Sequence, residues 1–259
     1  MSAELLTERR GSALVLTLSD PATRNTLSEQ LLLAGVEALN RAETDDAVRC
    51  VLLRGAGAHF CAGGNLHGLA SRRQQGPEAQ GQMLDRLHQW VESLRTFPKP
   101  VLAAVEGAAA GAGFSLALAC DLIVAAQNAR FMLSHARLGL SPDGGATWSL
   151  TRALPRQLVQ RWIWLGEPVT ADELKACGLV ALVTPEGEAL EQAMALAERL
   201  AAMAPNALCS GKALVCGAFS QTLEQQLGTE REHFIKNLFH ANGGEGLQAF
   251  LERREPRFE

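Results

Sequence analysis

Between Val101 and Thr147 the chain carries the residues best suited to holding an anion. VLAAV (101–105) is an apolar, strand-like run that demands burial on both faces. Gly107, Gly111 and Gly113 follow with little but alanine between them, and FSLALAC then opens a short apolar helix. A strand that runs through small residues into a helix start leaves backbone N–H groups unpaired at the positive end of the helix dipole. Small side chains let a ligand reach that backbone, and glycine takes dihedrals other residues resist. The spacing lacks the Gly-Lys-Ser/Thr of a triphosphate loop and is a poor match to the Gly-x-Gly-x-x-Gly dinucleotide pattern.

A second site of the same character lies about fifty residues earlier. Val51–Leu53 is a short apolar strand, RGAGAHFCAGGNL follows it, and Gly63-Gly64 ends a turn leading toward another helix. Two such turns can place two N–H donors around one oxygen, the arrangement that stabilises a developing oxyanion. Downstream, Pro142-Asp143-Gly144-Gly145 is a strong turn signal that also presents a carboxylate. Asp143 reads both as the cap of that turn and as an acid–base group. One carboxylate suffices for a 1,3-proton shift, because the base that removes a proton can return it elsewhere. The six cysteines and six histidines are scattered, without Cys-x-x-Cys or His-Glu-x-x-His spacing. No metal site is expected, and the thiols read as reduced core residues.

HFCAGGNL (59–66), VEGAAAGAGFSLALACDL (105–122) and LGLSPDGGAT (138–147) resemble, in order and spacing, the three signature blocks of the crotonase superfamily, the enoyl-CoA hydratase/isomerase family. The resemblance extends from about residue 4 to the C-terminus. It implies an α/β fold with a ββα spiral core (1–195) and a C-terminal helical trimerisation region (196–259). It implies an acyl-CoA thioester as substrate, a homotrimer or hexamer, and no cofactor beyond the coenzyme A of the substrate itself. The two oxyanion donors would be the N–H groups of Gly64 and Ala112, with Ala62, Gly63 and Gly111 completing the turns around the thioester.

The two glutamates that typical hydratases use are replaced by Ser115 and His135, which speaks against ordinary water addition. Asp143 matches an aspartate that moves a proton in phenylacetate-pathway isomerases and attacks the ring in chlorobenzoyl-CoA dehalogenases. His88 matches a dehalogenase histidine, and His135 is a further proton donor. Ser115 is expected to leave room for a bulky or cyclic acyl group, and Asn65, where the family often has Asp, to matter for loop structure. Arg24, Phe250 and Arg253 fall where family members contact the CoA nucleotide, the last two from a neighbouring subunit. The leading expectation is an isomerase with Asp143 as base and acid. The alternatives are a hydratase or hydrolase of an unusual enoyl-CoA and a silent acyl-CoA-binding protein.

The elements that must position these residues alternate strand and helix to about residue 183 and are helical thereafter. A strand pair is expected at 4–10 and 12–18 with Gly11 as the turn. A helix capped by Thr26 and Glu29 follows, then strand 49–54, a mobile loop over 71–81 and a helix over 82–96. Later come a helix over 155–165, a capping box at Thr170–Glu173 with Gly178 as stop, strand 179–183, and helices over 187–203, 205–218, 220–240 and 243–253. With 47% hydrophobic and 20% charged residues the chain can build a large core. A net charge of −4 offers no field for nucleic acid or an anionic membrane. No signal-peptide core or membrane-length apolar run is present, so a cytoplasmic protein is expected.

Overall fold

The computed structural model describes residues 3–259; Met1 and Ser2, where the N-terminal reading begins, lie outside the described residues. In chain order the elements are β1 (Glu4–Arg10), β2 (Ala13–Ser19), α1 (Glu29–Glu43), β3 (Cys50–Gly55), α2 (Leu66–Gln75), α3 (Pro77–Thr96), β4 (Val101–Val105), β5 (Ala108–Ala110), α4 (Ala112–Ala119), β6 (Leu122–Ala126) and β7 (Arg130–Met132). They continue as α5 (Ala146–Ala153), α6 (Arg156–Leu165), β8 (Val169–Thr170), α7 (Ala171–Ala176), β9 (Leu182–Thr184), α8 (Ala189–Ala201), α9 (Pro205–Gly217), α10 (Leu223–Leu238) and α11 (Ala241–Glu252).

The larger sheet runs β1-β2-β3-β4-β6-β9, antiparallel only between β1 and β2. Alternation along β4 shows how it is buried: Val101, Ala103 and Val105 join one apolar cluster with α1, α3 and α4, while Leu102 and Ala104 join a second beneath α8. A smaller sheet, β5-β7-β8, collects the short strands that follow each long one. The first turn joins it by single bridges, Cys61 to Ala109 and Leu27 to Gly64. Each repeat therefore gives one strand to each sheet and then a helix, the ββα spiral. The division expected at residues 195 and 196 falls inside α8. No helix among the described residues is long and apolar enough to cross a membrane.

The strand pair, the stretch 101–105 and the reciprocal capping box of Thr170 and Glu173 are as expected. Four expectations are corrected. Residues 71–81 are helical: Gly76 (φ 107°) ends α2 and Pro77 starts α3, so the Gly-Pro pair marks a corner between two helices. Helix α1 is capped by Ser28, which accepts from Leu31 N at 3.2 Å, because the Thr26 hydroxyl is spent on Thr23 Oγ1 at 2.9 Å. The run 179–183 is strand only from Leu182, since the amides of Leu179 and Val180 both close α7 on the Leu174 carbonyl. Finally, all six cysteines are free but only Cys50, Cys61 and Cys120 are core; Cys216 is exposed.

Candidate active site

The two glycine-rich turns meet. Cys61 bonds the backbone on either side of Ala109, its N donating to Ala108 O at 3.0 Å and its O accepting from Ala110 N at 2.9 Å. Gly63, at φ 86°, lies so close to the start of α4 that a Cβ there would stand 3.2 Å from Ala112 N. Only glycine satisfies both that angle and that approach. Gly111 (φ 52°) commits its own N–H to Met132 O at 2.9 Å, and α4 starts at the next residue. Among the described residues, neither Gly64 N nor Ala112 N donates to a protein acceptor, and both residues line a cavity of about 420 Å³. Ala112 departs from the family's usual glycine, yet as the first residue of α4 it needs only helical dihedrals, which alanine prefers.

Asp143 faces the same cavity from the turn before α5. Its Oδ1 lies 3.5 Å from His135 Nε2, long for a hydrogen bond but close enough for the pair to exchange a proton after a small adjustment. Both Asp143 Oδ1 and His135 Nδ1 are buried without a partner, a state that invites a ligand or a water, since unpaired buried polar atoms cost free energy. The imidazole packs over Gly111, its Nε2 3.5 Å from where a Cβ would be, so it sits beside the Ala112 donor.

Ser115 is not among the residues that line the cavity. It is 1% exposed and lies behind the cavity, donating to Asp143 O at 2.9 Å and Gly111 O at 3.3 Å. Its hydroxyl ties the carboxylate's loop to the turn that presents Ala112. Asn65 shapes the loop as expected: its side chain accepts from Gly68 N at 3.0 Å and caps α2. Cys61, beside the donor turn, is no nucleophile, because burial pushes its thiol up to about 12.

Thus Ala62, Gly64, His88, Gly111, Ala112, His135 and Asp143 surround one cavity, with His88 reaching it from the exposed side of α3. Gly63 and Ser115 stand behind that wall. Arg24, Phe250 and Arg253 do not line it: Arg24 is exposed and contributes its carbonyl to Ala62 N at 2.9 Å, while Phe250 is 82% exposed on α11. Three further participants carry no motif. Asn25 is completely buried at φ 58°, and its amide donates to His59 O (2.7 Å), Ala56 O (2.9 Å) and Phe60 O (3.3 Å), fixing the approach to Gly64. Arg72 and Gln80 line the cavity from α2 and α3, in the stretch expected to be a loop. A positive-φ asparagine after an arginine gives a turn signal only, and neither Arg72 nor Gln80 stands out until the helices put them on one wall.

Spiral core, paired free amides and facing carboxylate together place the chain in the crotonase class. The enoyl-CoA hydratase/isomerase family model matches residues 8–259. The chain is 35% identical over 257 residues to 2,3-dehydroadipyl-CoA hydratase of Escherichia coli K12, covering 99% of each, and 34% identical to 1,2-epoxyphenylacetyl-CoA isomerase of the same organism, covering 98% of this chain and 97% of that one. The crystal structure of an enoyl-CoA hydratase from Polaromonas sp. JS666 superposes with a TM-score of 0.98 at 52% identity, covering 99% and 100% of the two chains. The chain belongs to the enoyl-CoA hydratase/isomerase family of the crotonase superfamily, whose members act on acyl-CoA thioesters.

Proposed function

We propose that this enzyme is an enoyl-CoA isomerase in which Asp143 carries a proton from one carbon of the acyl chain to another. The observation that supports this is that Asp143 is the one carboxylate lining the cavity among the described residues, with a buried oxygen free of protein partners. The thioester oxygen sits between Gly64 N–H and Ala112 N–H. As Asp143 takes the proton, negative charge moves onto that oxygen, where the two amides are strongest; each such donor contributes on the order of 10²–10³ in rate. Asp143 then returns the proton at the far end of the delocalised system, and His135, 3.5 Å away, steadies its charge. Base and oxyanion donors suffice, and no cofactor beyond the CoA of the substrate enters the scheme. Arg24, and Phe250 and Arg253 of a neighbouring copy, would hold the nucleotide in a homotrimer or hexamer.

A second reading, hydration, has the hydratase relative as support. In it the His135–Asp143 pair activates water in place of the absent glutamates, and a dehalogenase-like variant would add His88. Asp143→Asn is expected to lower kcat/KM for every accepted enoyl-CoA by 100-fold or more, with CoA-ester affinity kept within threefold. Turnover within threefold of wild type would remove Asp143 as catalyst. ¹⁸O from water appearing in product would replace isomerisation by hydration, and tight ester binding without any solvent deuterium exchange would leave only a binding protein.

A further inference from the structure

One wall of the cavity holds a cation that no carboxylate pairs with among the described residues. Arg72 is half-buried on α2 among Leu66, Leu69, Met83 and Leu84, and its Nε donates to Gln80 Oε1 at 2.7 Å. Neither Nη1 nor Nη2 has a hydrogen-bond acceptor among the described residues, and no carboxylate lies within ion-pair distance of it. Gly68 makes room for the guanidinium to lie back along the helix, Nη1 standing 3.0 Å from where a Cβ would be. Helical side chains lean toward the N-terminus, which for α2 is the end next to the Gly64 donor. With a rise of about 1.5 Å per residue, Gly68 lies only about 3 Å along α2 from its first residue, Leu66, which follows the Gly64 turn by two positions.

We propose that Arg72 is a specificity-determining residue that selects acyl-CoA thioesters ending in a carboxylate, the ω-carboxyacyl class. This rests on the acyl-CoA reading of the site but not on which reaction follows. A planar guanidinium with its two terminal nitrogens free offers two parallel N–H donors to a carboxylate. An apolar surround strengthens that pair and leaves a cation without it poorly solvated. Gln80 is the positioning residue: holding Nε fixes the plane of the fork on the cavity wall that the two residues share. A methyl-ended chain would fill the same leucine walls but leave the guanidinium unmatched.

The test is calorimetric titration with two saturated thioesters that the enzyme does not turn over, adipyl-CoA and hexanoyl-CoA. Wild type is expected to prefer adipyl-CoA at least tenfold. Arg72→Met abolishes that preference while hexanoyl-CoA binds within threefold of wild type; Arg72→Lys keeps part of it; Gln80→Leu reduces it without touching hexanoyl-CoA. An equal loss for both thioesters in Arg72→Met places the guanidinium on the shared CoA moiety and overturns the proposal. So does an unchanged preference, or a wild type that binds both equally. If folded wild type binds neither thioester, the acyl-CoA reading falls along with it.

Discussion

The Gly64 amide owes its position to Asn25. That side chain, itself fully buried, accepts from Asp20 N at 2.9 Å and donates to the carbonyls of Ala56, His59 and Phe60. Asn25→Ala is expected to destabilise the fold by about 3 kcal/mol, since several buried backbone groups lose their partner at once. Denaturant unfolding measures this, and a loss below about 1 kcal/mol would mean that water replaces the amide. At this scale the legible residues were those whose chemistry is local. Gly63, Gly64, Gly111 and Ala112 could be found because small residues at strand ends have a backbone meaning. The structural tie that Ser115 makes was not legible, because its partner is a main-chain carbonyl 28 positions away, a contact that composition and spacing do not encode. Arg72 was invisible for the same reason, its meaning being set by what fails to surround it.

Helices were legible where their ends are chemically self-sufficient. Thr170 and Glu173 close a capping box between themselves, so the pattern reads correctly from four residues. Helix α5 has no such signature: Gly145 precedes it without a side-chain cap, and its start is set by the Asp143 turn. The C-terminal tail is held by a similar short-range device. Glu245 accepts from Arg254 Nη1 and Nη2 at 2.6 and 2.9 Å and from Arg257 N at 2.7 Å. Those bonds, the Arg254 pair foremost, hold its carboxyl down from 4.5 to about 2. A depressed carboxylate supplies its tether above the ordinary value and loses it as pH falls toward 2. Amides of Arg257 and Glu259 should therefore stay protected from hydrogen exchange at pH 5 and lose protection between pH 4 and 2. Glu245→Gln should expose them already at pH 7 with little change in Tm, the group being at the surface and screened. Protection unaffected by that substitution would show that the Asn242 bonds to Glu259, at 3.0 and 3.1 Å, suffice alone.

The whole chain sets the last constraint, and here the two sheets explain what sequence could convey. Long strands buried on both faces announce themselves as apolar runs. The three-residue strands β5 and β7 are too short for any period, although they are what turns each repeat and brings residues 61 and 109 together. Beyond the core, the segment from α9 to α11 carries large apolar side chains that no described residue covers: Val215, Leu223, Phe234, Phe239, Phe250 and Leu251 are each 69% exposed or more. A water-facing surface of that extent is atypical of a monomer, which supports the proposed trimer or hexamer. Light scattering should give a mass three or six times 27.7 kDa. The double substitution Phe234→Glu and Phe239→Glu should dissociate it by placing charge in an apolar contact, with circular dichroism of the spiral core retained. If Phe250 and Arg253 serve a neighbour's nucleotide, the dissociated form should also lose at least tenfold in CoA-ester affinity while Asp143 and His135 remain in place. A wild type that scatters as a single chain, or a dissociated variant that binds the ester as before, would confine the site to one subunit.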